Sequence, residues 1–224
     1  MSLLKNFSNL LRSKKELIGC IFITLIIQMT VTFITMEIDQ THHIVGQLSL
    51  PIIILSVIFV LVFIFTIRSP SIPFYVKQIL FAIFSIFNGL LLSQLIYYIN
   101  DPQIVKGAGI ATLISVGLMF IVGLFIVYLK YDLGWLGMIL YFALMCLIIA
   151  QVIIAISTKS NKNPRYISII SVIIFSLYIV YDTNNILLKY KNNDKIDCIS
   201  GAVDYYLDIF NLFTSFMDIM DSKK

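Results

Sequence analysis

Charge is scarce in this chain. Only 12% of its 224 residues are Asp, Glu, Lys or Arg, against 59% apolar, and mean hydropathy is +0.96. Soluble globular domains carry about twice that share of charge, so composition places the chain in the polytopic membrane class. At this length it makes one unit of several spans with no separate soluble domain. Cysteine is scarce too: Cys20 and Cys146 lie in apolar runs, Cys198 lies beside a charged loop, and no C-x-x-C spacing occurs. Neither a disulfide framework nor a zinc site is suggested. H-E-x-x-H, G-x-S-x-G and P-loop spacings are missing, which removes the usual soluble-enzyme signatures. The net charge of +4 sits in short clusters between apolar runs, a pattern of membrane-flanking loops and not of a nucleic-acid surface.

What is present is a series of long apolar runs. A hydrocarbon core about 30 Å thick takes about 20 helical residues to cross. That ruler predicts seven spans: Leu17–Met36, Leu48–Ile67, Phe74–Ile99, Gly107–Leu129, Leu133–Ser157, Ile167–Leu188 and Ile199–Met220. The expected fold class is therefore all-α and polytopic. Residues 1–16 form a basic cytosolic tail, 17–220 a single seven-helix domain, and 221–224 a C-terminal tail. Breaks fall at Arg68-Ser-Pro-Ser-Ile-Pro73, Asn100-Asp-Pro102 and Asn161-Lys-Asn-Pro164. The first span reads as a retained signal anchor, being long and lacking a small-residue cleavage site. The seventh carries Asp204, Asp208 and Asp218, which leaves a re-entrant course open.

Lysine and arginine set the expected orientation. With the N-terminus inside, the inner segments hold 10 basic residues and the outer loops 4, so a cytosolic N-terminus is favoured. Lys223 and Lys224 pull the C-terminus inward as well, against the outcome of seven full crossings.

The polar residues inside the spans are patterned. Tyr178, Asp182, Asn185 and Lys189 are spaced 4, 3, 4, which puts them on one helical face. Gly201, Asp204, Asp208, Asn211, Ser215 and Asp218 are spaced 3, 4, 3, 4, 3 and form a stripe along the whole last span. Against lipid, each central aspartate would cost about 2.5–3.5 kcal/mol. The stripe is expected to face protein or water, with the last helix central among the others. Asp182 sits roughly 9 Å from the inner end of its helix, and Asp208 roughly 13 Å from the inner start of its own. Two carboxylates at similar depth in a low-dielectric site resist ionising together and share a proton. Such a pair can sense pH or bind a cation, whereas a lone aspartate is as readily hydrogen-bonding glue between helices. Arg68, closing the second span, is placed to pair with either aspartate and act as a latch, or else to anchor the inner face.

Other polar positions read more plainly. Gln28, Asn88, Ser93 and Gln94 are expected to hydrogen-bond between helices. His42 and His43 fall in an outer loop, and Trp135 is placed as an interfacial anchor.

IIFSLYIVYDTNNIL (173–187) and GAVDYYLDIFNLF (201–213) resemble the last two membrane helices of the transmembrane Bax inhibitor motif family, which includes the lifeguard and Golgi anti-apoptotic branches. Lys130-Tyr-Asp-Leu-Gly-Trp135 resembles its charged-aromatic turn before the fifth helix, and Asn88-Gly-Leu90 its small-residue motif in the third. The resemblance implies seven helices with the last one central, in intracellular or bacterial membranes. It implies a pH-sensitive calcium leak and, in eukaryotes and viruses, suppression of apoptosis. The family's paired aspartates fall on Asp182 and Asp208, and its basic residue on or next to Arg68. Two departures stand out: Ser56 is the one counterpart to an acid of the second helix in some members, and Asp204 adds a third carboxylate.

The leading expectation is a non-enzymatic channel of endoplasmic reticulum or Golgi type membranes, or of a host intracellular membrane for a viral chain. Its ion pathway and pH sensor comprise Asp182, Asp208, Asp204, Arg68, Asn185, Asn211 and Tyr178. Calcium is the permeant ion, held weakly by Asp182 and Asp208, with no cofactor. Partners are the lipid bilayer, calcium ions, and apoptotic or calcium-handling membrane proteins, with no nucleic acid. The first rival is a presenilin-type intramembrane aspartyl protease, which shares a Tyr-Asp motif. Here, however, Asp208 follows Tyr205-Tyr-Leu207 instead of Gly-x-Gly, and no proline follows Pro164. The second rival is an anti-apoptotic adaptor with no flux of its own.

Overall fold

The computed structural model describes residues 8–9, 12, 14–42, 59–60, 62–157, 164–189 and 197–222. Every regular element among them is helical. In chain order these are α1 (Lys15–His42), α2 (helical at 59–60 and 62–67), α3 (Phe74–Ile99), α4 (Pro102–Tyr128), α5 (Gly134–Ser157), α6 (Arg165–Lys189) and α7 (Cys198–Asp221). Residues 48–58 and 61 of the second expected span, Ser56 among them, lie outside the described residues. So do Lys5, His43, the 158–163 and 190–196 connections, Lys223 and Lys224.

Helix boundaries follow local chemistry. The α3–α4 break is made by Asn100, which adopts φ 48° and donates its N–H to the Ile96 carbonyl at 2.8 Å. Asp101 then caps α4 by accepting from the Gln103 N–H at 2.8 Å, with Pro102 in the first turn. That cap starts α4 five residues ahead of the expected Gly107. The structure also carries α1 past Met36 to His42, so Glu37, Asp39 and exposed His42 are helical and not loop. The Asp132 carboxylate accepts from the Gly134 N–H at 2.8 Å and opens α5. Asp197 does the same for α7 through the Ile199 N–H at 3.0 Å.

Among the described residues, five helices are long and apolar enough to cross a membrane: Lys15–His42, Phe74–Ile99, Pro102–Tyr128, Gly134–Ile154 and Arg165–Leu188. Their exposed faces are mostly apolar. On α1 the buried face holds Thr24, Gln28, Thr32 and Asp39 together with Leu17, Ile21 and Leu25, while Ile23, Ile26, Ile27, Ile34 and Ile38 are exposed. Isoleucine outside and polar groups inside is what a hydrocarbon solvent selects. α7 differs: none of its residues from Cys198 to Asp221 is exposed. Its 24 residues make roughly 36 Å of helix, long enough to cross, but its aspartates lower its hydropathy.

The chain forms two compact units. The first takes in Glu16–Asn100 and Asp197–Tyr206, hence α1, α2, α3 and the opening turns of α7. Its core is aromatic: Phe63 stacks on Phe84 with ring centroids 4.0 Å apart, and Phe81 meets Tyr206 edge-on at 5.3 Å. Such pairs each add about 0.5–1.5 kcal/mol beyond burial. Gly89 lets α3 approach α1, since a Cβ there would lie 2.5 Å from the Thr32 carbonyl oxygen. Cys20 and Cys198, 178 residues apart in sequence, are joined as a disulfide with Cα atoms 5.9 Å apart. The sequence carried no spacing that announces this bond; it arises because α1 and the start of α7 pack side by side. Cys146 is free and exposed.

The second unit takes in Asp101–Ile196 and Leu207–Lys224, with Met1–Lys15. In it α6 packs against both α4 and α5. Ala108, Leu140, Ile179, Leu212 and Met217 are buried there.

Candidate functional site

The site is built on α6 and the part of α7 in the second unit. Two hydrogen bonds set the register between these antiparallel helices. The Ser171 and Ser215 hydroxyls lie 2.7 Å apart, and Ser168 Oγ donates to the Asp218 carboxylate at 3.5 Å. Continuing the register brings Tyr178 level with Asp208 and sets Asp182 about one turn, roughly 6 Å, further along. Both carboxylates are buried, Asp182 at 7% exposure and Asp208 at 4%.

The residues beside Asp182 are pinned. Thr183 Oγ1 bonds back to the Ile179 carbonyl at 2.7 Å, and its Cβ sits 2.7 Å from where a Cβ on Gly123 would be. Only glycine lets α4 come this close to α6. Asn184 is 1% exposed and uses both ends of its amide. Its Nδ2 donates to the Tyr131 carbonyl at 2.8 Å, and its Oδ1 accepts from the Leu133 N–H at 3.1 Å. The turn between α4 and α5, where Lys130 has φ 59°, is thereby tied to the helix carrying Asp182. Asn184 lies off the face that carries Asp182, and its own face is buried as well.

The remaining predicted residues divide. Tyr178 is half-buried and packs against the rings of Phe175 and Tyr181. Asn185 is half-buried, and Asn211 donates to the Leu207 carbonyl within its own helix at 2.7 Å. Asp204 belongs to the first unit, where it accepts from Arg68 Nη2 at 2.5 Å. The sequence offered Asp182 or Asp208 as the partner of Arg68, but the guanidinium lies on Asp204. The reason is positional: Arg68 ends α2, which shares a unit with residues 197–206 of α7, and Asp204 is the carboxylate of the stripe in that stretch.

Sequence reasoning missed three features of the first unit. Lys77 is buried and pairs with Asp197 at 2.6 Å. A buried ammonium in a membrane protein needs such a partner. Asp39 is 2% exposed and accepts from Gln94 Nε2 at 3.3 Å. Its signal was present, because Thr24, Gln28 and Thr32 step by four and the same face continues to Asp39. Tyr206, fully buried, shares a 2.6 Å hydrogen bond with Thr32, whose hydroxyl also reaches the Ser85 carbonyl. Among the described residues, no group of three or more His, Cys, Asp or Glu side chains is gathered as a metal cage. What Asp182 and Asp208 offer a cation is therefore two carboxylates at neighbouring levels.

Residues 15–224 match the family named Bax1-I, described as Inhibitor of apoptosis-promoting Bax1. The chain is 30% identical over 124 residues to Protein LIFEGUARD 1 of Arabidopsis thaliana, a match covering 55% of this chain and 52% of that protein. Protein LIFEGUARD 4 of the same plant is 35% identical over 89 residues, covering 40% of this chain and 35% of its own. An uncharacterized protein of Deinococcus radiodurans is 25% identical over 198 residues, covering 86% and 83%. The matched stretch thus spans about half of LIFEGUARD 1 and about a third of LIFEGUARD 4.

Proposed function

The chain belongs to the Bax1-I family of Bax inhibitors and is a multi-pass membrane protein, and from that premise we propose that it is a pH-sensitive calcium leak channel that suppresses apoptosis. The observation that carries the reading is the burial of Asp182 and Asp208 in one packing unit, on facing helices about one turn apart. A carboxylate kept inside a membrane protein is a functional position by default. Two at neighbouring levels repel when both are charged, so proton uptake and cation entry compete for the same groups. Calcium meets too few oxygens there for tight capture, and weak, transient binding is what conduction requires. Tyr178, Asn185 and Asn211 extend the polar route along the same two helices. The Arg68–Asp204 pair ties the end of α2 to α7 and serves as a latch in the neighbouring stretch. No enzymatic step is assigned to the site. The channel belongs in an intracellular membrane of endoplasmic reticulum or Golgi type with a cytosolic N-terminus, the orientation favoured by the basic residues. Apoptotic or calcium-handling membrane proteins are its candidate partners.

The test is calcium release from liposomes carrying the purified protein, followed against pH. Wild type is expected to leak in a pH-dependent way, and Asp208→Asn or Asp182→Asn to lose that dependence. Absence of flux at every pH, or an unchanged profile in Asp208→Asn, overturns the reading. Cleavage of a transmembrane peptide by the same preparation would replace it with a protease.

A further inference from the structure

We propose that Cys20 and Cys198 form a reversible thiol–disulfide switch that controls how firmly the opening turns of α7 are held to α1. The claim that this switch tunes calcium flux rests on the channel reading; the switch itself rests on the cluster around Cys198.

Residues 197–206 are held within their unit by polar contacts from Asp197 to Lys77, Asp204 to Arg68 and Tyr206 to Thr32, and by the rings of Phe22 and Phe81 against Tyr205 and Tyr206. The disulfide adds a covalent attachment, which joins α1 to the first residue of α7. A reductant removes this one attachment without touching the others. Its two sulfurs are unequal. Cys20 is half-buried, whereas Cys198 is buried, so an incoming thiolate reaches Cys20. Cys198 then leaves, and a thiolate opening a helix is a favoured leaving group because the backbone N–H groups of the first turn face it. The Thr24 hydroxyl, 3.9 Å from Cys198 Sγ, is placed to donate to that sulfur. On the orientation favoured by the basic residues, both cysteines lie at the inner ends of their helices. That side faces a thiol-rich compartment, where disulfides persist as transient or sensing bonds more than as structural ones.

The exchange balances as follows. A thiolate of a thiol reductant attacks Cys20 Sγ, the Cys20–Cys198 bond breaks, and Cys198 departs as a thiolate that takes up a proton. A second reductant thiolate attacks the mixed disulfide on Cys20 and releases Cys20, which is protonated in turn. Two electrons and two protons pass to the protein, and the reductant ends as its own disulfide. An oxidised disulfide of the same class drives the reverse.

The experiment uses the full chain with Cys146→Ser, so that the pair holds the only remaining thiols. It is reconstituted in liposomes and compared with the Cys20→Ser/Cys198→Ser variant in the same background, each with and without dithiothreitol. Two readouts are taken: hydrogen exchange of the peptide covering 198–206, and pH-dependent calcium release. Reduction is expected to speed exchange in that peptide by at least about tenfold, well within what loss of a disulfide does to local stability. It is also expected to raise release, and to do neither in the double-serine protein. Exchange that ignores the reductant overturns the switch, whatever the flux does. Exchange that responds while pH-dependent release does not overturns its control of the channel and leaves the channel reading standing. Release absent from every preparation overturns the channel reading, and the exchange data alone then decide the switch.

Discussion

The ammonium of Lys77 lies 2.6 Å from Oδ2 of Asp197, and the lysine side chain is almost wholly buried. Asp197 is also the cap of α7, so a single carboxylate both starts the last helix and neutralises a cation from α3. Asp197→Asn keeps a good capping side chain but leaves the ammonium buried without its counter-charge. Thermal unfolding in detergent is expected to show a loss of about 3–5 kcal/mol. The double variant Lys77→Met/Asp197→Asn is expected to recover most of it, because no uncompensated charge remains. Equal losses in the single and double variants would show that the pair has no such role.

Asn184 makes a second prediction, on the turn between α4 and α5. Asn184→Ala strands the Tyr131 carbonyl and the Leu133 N–H, two groups that the amide satisfies. The expected cost is about 1–3 kcal/mol for each stranded group that stays buried. Asn184→Asp keeps the acceptor for Leu133 but sets a carboxylate oxygen against the Tyr131 carbonyl at a buried position, so at neutral pH its unfolding midpoint should fall at least as far as that of alanine.

Two glycines of α4 separate packing from helix propensity. A Cβ at Gly123 meets Thr183 at 2.7 Å, whereas one at Gly117 meets nothing within 4 Å. Gly123→Ala is expected to destabilise the protein by about 1–3 kcal/mol, the usual effect of overpacking. Gly117→Ala should cost nothing, since alanine is the better helix former. Parallel unfolding curves for the two variants decide the matter, and equal behaviour would remove the close approach of α4 to α6 beside Asp182.

The latch is tested through Arg68 and Asp204. Their ion pair has one partner largely exposed, with side-chain exposures of 55% and 22%. An ion pair of this kind is worth up to ~1 kcal/mol, so Arg68→Gln or Asp204→Asn should raise calcium leak at neutral pH by up to about fivefold. If the two act through one contact, the double variant leaks no more than either single variant. Additive increases in liposome flux would show that each residue acts separately.

Much of the membrane architecture was legible in the residues alone. Phe74–Ile99 is the third helix with both ends as expected, because Pro73 precedes it and Asn100-Asp-Pro102 stops it. The stripe from Gly201 to Asp218 predicted a helix with no lipid-facing polar side, and no residue of α7 is exposed. The burial of Asp182 was equally readable, since hydrocarbon admits no charged face. Asp39 escaped because the apolar ruler ended the first span at Met36, although the helix goes on to His42.

By itself, then, the sequence determined the membrane class, most of the described helices and the polar faces of the last two. Run length and a 3.6-residue period are local properties, and a hydrocarbon surrounding enforces them strictly. Tertiary structure alone decided the partners. Arg68 pairs with Asp204 and not with Asp182 or Asp208, Cys20 finds Cys198 across 178 residues, and Asn184 holds a turn more than 50 residues away. Each of these depends on which helices are neighbours, how far each is rotated about its axis and where they stand in register. Periodicity along one chain says which face is polar; it leaves open what that face meets.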